Sequence, residues 1–233
     1  MAARAVAYFD ESIRENLQVV AGFVAPESLW AEVIEPAWKT VLAEACDANG
    51  HVDEYKASDC EGGGHQFRSW TWHARRVFRD KLAGVLVDAC ATRELVGVAV
   101  AYELPGLVEP EHPKATRFRR DIGRHAYEVC TSVCLTEFFD LGLSTQRFSE
   151  LLPVFDKRAG FVAVLQKGFG TVRDQLAPEA DAALLPPEML CSKSCVRLQT
   201  ADMLAYLVQE EYWRRPTGVP VVGCRKTPSG LTG

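Results

Sequence analysis

The chain has no apolar run near the roughly 18 residues that a membrane-spanning helix needs. Stretches such as Val96 to Ala101 fall far short, so no membrane contact is expected. It also lacks an excess of positive charge. With 26 basic and 31 acidic residues the formal balance is −5, which argues against coating nucleic acid by bulk charge and leaves local basic patches open. The 17 glycines and 12 prolines are scattered, which excludes a collagenous or low-complexity chain, and there is no internal repeat. The triglycine at 62 to 64 lacks the Gly-Lys-Ser or Gly-Lys-Thr ending of a phosphate-binding P-loop. The five histidines, His51, His65, His73, His112 and His125, contain no His-x-x-x-His pair of the kind that binds metal. No signal-like apolar run precedes the acids at Asp10 and Glu11, so a cytoplasmic protein is expected, its eight cysteines mostly reduced.

What is present is the balance of a soluble globular protein: 233 residues, 48% hydrophobic and 24% charged. Apolar runs at 4–9 and 17–25 predict two strands joined by a loop. Leu29, Trp30, Val33, Ile34, Trp38, Val41, Leu42 and Ala45 recur at helical steps, interrupted by Pro36, and the helix should stop near Asn49-Gly50. Residues 51–66 read as a polar loop with room for one short edge strand, and 67–93 as a second helix. A buried strand at 95–104, a long helix within 112–143, a short strand at 151–155, a helix at 161–176, an acidic linker at 177–188 and a last helix at 196–214 follow. Strands alternating with helices after an opening strand pair predict an α/β fold, a mixed sheet flanked by helices. The expected organisation is one domain over 1–215 and a Pro/Gly-rich tail over 216–233.

Two strands each deliver an acid at the carboxyl end, Asp10 in AYFDES and Asp156 in LPVFDKR, where α/β sheets place their ligand sites. Asp202 lies among Ala201, Met203, Leu204 and Ala205 in the last helix, where an unpaired buried carboxylate is costly. If that helix crosses the strand ends, the three aspartates converge and repel one another. A hard divalent ion, Mg²⁺ or Mn²⁺, offsets such repulsion and can activate water for phosphodiester cleavage. The plainer reading is that acids at strand ends begin a turn or cap the next helix.

At these residues the chain resembles the domain of unknown function 3800 family, whose members open with a strand ending in Asp-Glu-Ser and close with a Gln-x-Ala-Asp helix. Here the motifs are Asp10-Glu11-Ser12 and Gln199-Thr200-Ala201-Asp202. Glu54-Tyr55-Lys56-Ala57-Ser58 resembles the family's middle motif, with Lys56 where histidine is usual, and Phe155-Asp156 resembles its internal strand with a terminal acid. The resemblance implies a ribonuclease H-like fold and a three-acid metal centre of nuclease or hydrolase type, with Asp10, Asp156 and Asp202 as catalytic metal ligands for Mg²⁺ or Mn²⁺. Around them Glu11, Ser12, Lys56, Asp59, Ser192 and Gln199 are candidates to support the ions or contact substrate. Glu11 is a secondary ligand candidate, because consecutive strand residues face opposite ways. The alternative is a non-catalytic ribonuclease H-like binding or assembly subunit whose acids are structural.

Two further constellations remain. Cys130 with Cys134, and Cys191 with Cys195, are each four apart and could offer zinc four thiolates, or could simply be buried core thiols. Arginines cluster at Arg75, Arg76 and Arg79, at Arg117, Arg119, Arg120 and Arg124, and at Arg214-Arg215. With Trp70 and Trp72 nearby they are the footing for a nucleic-acid partner, or else a solvated face and core filling.

Overall fold

In a computed structural model, residues 3–14, 16–103, 113–143, 148–158 and 160–214 are described. The expected tail over 216–233 lies outside them. A five-stranded sheet runs in the order β3-β2-β1-β4-β5, built from β1 (Ala3–Arg14), β2 (Leu17–Pro26), β3 (Val96–Glu103), β4 (Phe148–Asp156) and β5 (Glu188–Leu190). The first three strands pair antiparallel, while β4 joins β1 and β5 joins β4 in parallel. This is an α/β fold with a mixed sheet flanked by helices, compatible with a ribonuclease H-like arrangement.

The near-continuous apolar run of β2 follows from burial on both faces. Leu17, Val19, Phe23 and Ala25 face one side, against α2 (Glu35–Asn49), α4 (Trp72–Ala91) and α8 (Val196–Arg214). Val20 and Val24 face the other, with Ala5, Ala7, Phe9 and Phe155, under α5 (Pro113–Leu143) and α6 (Val162–Arg173). Gly22 is required where β2 meets β1, because a Cβ there would lie 2.3 Å from the Tyr8 carbonyl oxygen.

Four local expectations are corrected. Pro36 does not interrupt a helix but begins α2, after a short helix α1 (Glu27–Leu29) and a wide π turn over Trp30–Ile34. The wider turn, in which Glu35 N–H donates to the Trp30 carbonyl, accommodates a residue that cannot donate and crowds the preceding turn. The segment 51–66 contains a helix, α3 (Ala57–Gly62), closed by Gly63 at φ 68°. The second long helix begins at Trp72 rather than Phe67, capped by Thr71 Oγ1 accepting from Ala74 N–H at 3.1 Å. The acidic linker holds α7 (Pro178–Ala183), with β5 directly after it. Among the described residues no helix is long and apolar enough to cross a membrane.

Candidate functional site

Phe9 of β1 lies level with Phe155 of β4, and their rings stack at 4.6 Å. One residue further on, Asp10 and Asp156 lie side by side on the face opposite the two rings; Asp156 ends β4, but Asp10 does not end its strand as expected, because β1 continues to Arg14 through its pairing with β2. Asp10 is 3% exposed. Its Oδ1 accepts the Glu11 N–H at 2.7 Å, and its Oδ2 is buried with no hydrogen-bond partner among the described residues. Such an orphan costs free energy unless something meets it.

The third acid comes from α8, which packs across β1 and β2. Asp202 Oδ2 accepts the Ala57 N–H at 2.6 Å, tying the start of α3 to the site, and Oδ1 lies 3.7 Å from Lys56 Nζ. Asp156 Oδ1 accepts the Ser192 N–H at 3.0 Å, and the Ser192 hydroxyl donates to Glu54 Oε1 at 2.5 Å. Glu54 is a buried site carboxylate that sequence reasoning named only as part of a motif. The available signal was its place two residues before Lys56, where the backbone is extended and alternate side chains share a side.

Gln199, fully buried, joins three segments of this shell. Its Oε1 accepts from Trp38 Nε1 at 3.1 Å and from the Tyr55 N–H at 3.0 Å, while its Nε2 donates to the Ser192 carbonyl at 3.3 Å. It thereby holds the strand of chain carrying Glu54 and Lys56 against the loop carrying Ser192. Gln199 positions these groups; its hydrogen bonds go to none of the acids.

The electrostatics identify the cluster as short of positive charge. Burial, then the charges of Glu11 and Asp202, push the Asp10 carboxyl well above its ordinary range, with Lys56 pulling the other way. Burial raises Asp202 as well, although Lys56 and the Ala57 N–H oppose it. Lys56 shows the complementary effect: burial lowers its pKa, but Asp202, Asp10, Asp156 and Glu54 together leave it raised. One ammonium thus serves four carboxylates.

The remaining candidates are placed apart from this centre. Glu11 turns toward the opposite face and is ion-paired with Arg158; burial nevertheless leaves its pKa raised. The Ser12 hydroxyl is hydrogen-bonded to the Gln209 amide of α8 at 3.0 Å. Asp59 sits on α3, not on a flexible loop, and faces the triglycine turn with His65 Nε2 3.8 Å away. Cys130 and Cys134 are core thiols: Cys134 Sγ lies 3.3 Å from the Val20 carbonyl, and burial pushes Cys130 up to about 12. Trp70 packs in the core with Phe67 and Phe78, so it has no face for a base, whereas Trp72 is 61% exposed. Arg117, Arg119 and Arg120 lie outside the residues whose side chains are described.

Among the described residues no three His, Cys, Asp or Glu side chains are gathered closely enough to hold an ion as they stand. The zinc reading of the cysteines finds no support in that. The potential donors around Asp10 are carboxylate oxygens, one of them buried without a partner among the described residues, and carboxylates outnumber cations there. Oxygen donors of this type suit hard divalent ions rather than zinc. No protein-family model matches the chain, and no curated protein matches it at a significant level.

Proposed function

We propose that the chain is a divalent-metal-dependent phosphodiester hydrolase acting on nucleic acid, with Mg²⁺ or Mn²⁺ held by Asp10, Asp156 and Asp202 and with Glu54 as a further oxygen donor. The observation that carries this reading is the buried, partnerless Oδ2 of Asp10 inside a carboxylate cluster served by one lysine. Evolution rarely leaves such a charge deficit in a core without use, because it costs stability. A bound divalent cation would supply Lewis-acid activation of water and neutralise charge at the leaving oxygen. The chain's own residues do the rest. Ser192 and Ala57 orient Asp156 and Asp202 through their backbone N–H groups, and Gln199 fixes the segments that carry Glu54, Lys56 and Ser192. Lys56, once released from Asp202, supplies a positive charge for a substrate phosphate. The reading includes membership of the domain of unknown function 3800 family and a cytoplasmic location.

The test is cleavage of labelled single- and double-stranded DNA and RNA by purified protein with Mg²⁺, with Mn²⁺ and with EDTA. Metal-dependent cleavage that falls to background in Asp10→Asn and Asp202→Asn supports the reading. Absence of cleavage together with absence of Mn²⁺ binding overturns it.

A second reading draws on the position of Lys56, 3.7 Å from Asp202 Oδ1, as a permanent internal counter-ion. In that case the fold is a non-catalytic binding or assembly subunit. Lys56→Gln then destabilises the protein and no added divalent ion restores it, whereas in the first reading Mn²⁺ replaces the missing charge.

A further inference from the structure

Between α3, α4 and α8 runs a groove of about 700 Å³, lined among others by Glu61, Trp72, Arg75, Arg79, Tyr206 and Arg214. That volume suits a ligand of nucleotide size. The groove is continuous with the acid centre through two elements. α3 begins at Ala57, held by Asp202, and reaches the groove at Cys60 and Glu61. α8 carries Asp202 and then Tyr206, Glu210 and Arg214 at four-residue steps, so the lining extends from about 6 Å to about 18 Å beyond the acid along the helix.

Four arginines, Arg75, Arg76, Arg79 and Arg214, and four acids, Glu61, Asp80, Glu210 and Glu211, line the groove, and they are not all paired with one another; Arg76 lies 3.7 Å from Asp80. Arg79 takes Glu61 at 2.6 Å and Asp80 at 3.0 Å, while Glu210 is taken by Arg14 at 2.6 Å. Arg75 and Arg214 have no carboxylate within 4.0 Å among the described residues. Arg75 is held in place sterically instead: its Nε is buried without a hydrogen-bond partner among the described residues, and a Cβ at Gly63 would collide with its Nη1. An anchored guanidinium lacking a counter-ion, within a groove, is arranged to receive an anion. Trp72 adds an exposed indole at the start of α4, with the Arg76 guanidinium 5.3 Å over its ring. Exposed aromatic faces combined with unpaired cations are how single strands are held without reading their sequence.

Building on the hydrolase reading, we infer that this groove binds a single-stranded segment of the nucleic-acid substrate, a base stacking on Trp72 and backbone phosphates meeting Arg75 and Arg214. Bases stacked inside a duplex offer no free face to the indole, so single strands are preferred over duplex of the same sequence.

Fluorescence anisotropy of the full chain with a labelled, mixed-sequence single-stranded DNA in EDTA tests this without cleavage. Trp72→Ala and Arg75→Gln are each expected to weaken binding about tenfold, Trp72→Tyr to restore most of the loss, and Arg75→Gln to reduce the salt slope by about 0.7. Wild-type affinity in both groove variants, or no saturable binding by the wild type, overturns the inference. Metal-dependent cleavage that is indifferent to Trp72 and Arg75 sinks the groove and leaves the hydrolase standing. Groove-dependent binding with neither cleavage under Mg²⁺ or Mn²⁺ nor Mn²⁺ binding sinks the hydrolase and leaves the groove standing.

Discussion

The two faces of the sheet bury polar groups in different ways. Under α5 they are the Gln18 amide of β2, with both ends unpartnered among the described residues, the Cys130 and Cys134 thiols of α5 beside β2 carbonyls, and a single carboxylate, Glu11, that Arg158 pairs. Under α8, beside hydrogen-bonded neutral groups such as Gln199 and Ser192, three carboxylates are buried, Asp10, Asp202 and Glu54, with only Lys56, half-exposed, between them as a cation. An unpaired amide costs about 1–3 kcal/mol. A buried carboxylate without a partner costs more, and its raised pKa records that cost. The α5 face therefore bears an ordinary packing imperfection. The α8 face bears a charge arrangement that only an added cation or a bound proton completes.

Substitutions can sharpen or break that contrast. The largest effect is expected on the apolar side: Phe155→Ala removes a fully buried ring stacked on Phe9 and should cost roughly 3–5 kcal/mol in urea unfolding. It should leave the affinity of the folded protein for Mn²⁺ nearly intact. Gln199→Leu comes next, at about 3 kcal/mol, because it orphans the Trp38 indole N–H and the Tyr55 amide. Unlike Phe155→Ala it should also weaken Mn²⁺ binding, since the Glu54 and Ser192 segments lose their tie.

Asp10→Asn should act in the opposite direction, raising the melting temperature by a few degrees in EDTA. The sign follows from linkage. Folding raises the Asp10 pKa, so the folded chain holds that proton more tightly than the unfolded one. The cost of ionising it is absent below the ordinary value of 3.8 and grows as pH rises toward the raised value. The stability advantage of Asp10→Asn should accordingly shrink as pH is lowered through that interval, and an advantage independent of pH would break the contrast. The smallest effect concerns the thiols. Iodoacetamide should label exposed Cys90 and Cys191 in the native protein and spare Cys130 and Cys134, as mass mapping of the modified peptides would show.

How much of this was legible in the sequence depended on whether local pattern or distant contact governs a segment. β1, β2 and α8 were readable because their apolar periodicity is uninterrupted and each buries a long face. With them came Asp10, Asp156 and Asp202, marked by acids that follow apolar runs and by an acid in an apolar helix, although β1 carries on past Asp10 to Arg14. α3 was not readable, since its six residues expose only Ala57 and Cys60 to the core and its first N–H is satisfied by Asp202, 145 residues away. β5 escaped because three residues carry no period, and its place beside β4 is set by pairing with Val154, Phe155 and Asp156. Glu54 was missed for a similar reason: its partner Ser192 lies 138 residues further along the chain. Trp70 and Trp72 look alike in sequence, yet one fills the core and the other faces the groove, a difference decided by where α4 begins.

The central claim is that the acid cluster under α8 is completed by a divalent cation. Isothermal titration of Mn²⁺ into wild-type protein, Asp10→Asn and Lys56→Gln tests it most directly. The expected result is saturable binding by the wild type, its loss in Asp10→Asn, and tighter binding in Lys56→Gln, where the competing ammonium is gone. No saturable binding by the wild type, or binding unchanged by Asp10→Asn, would contradict it.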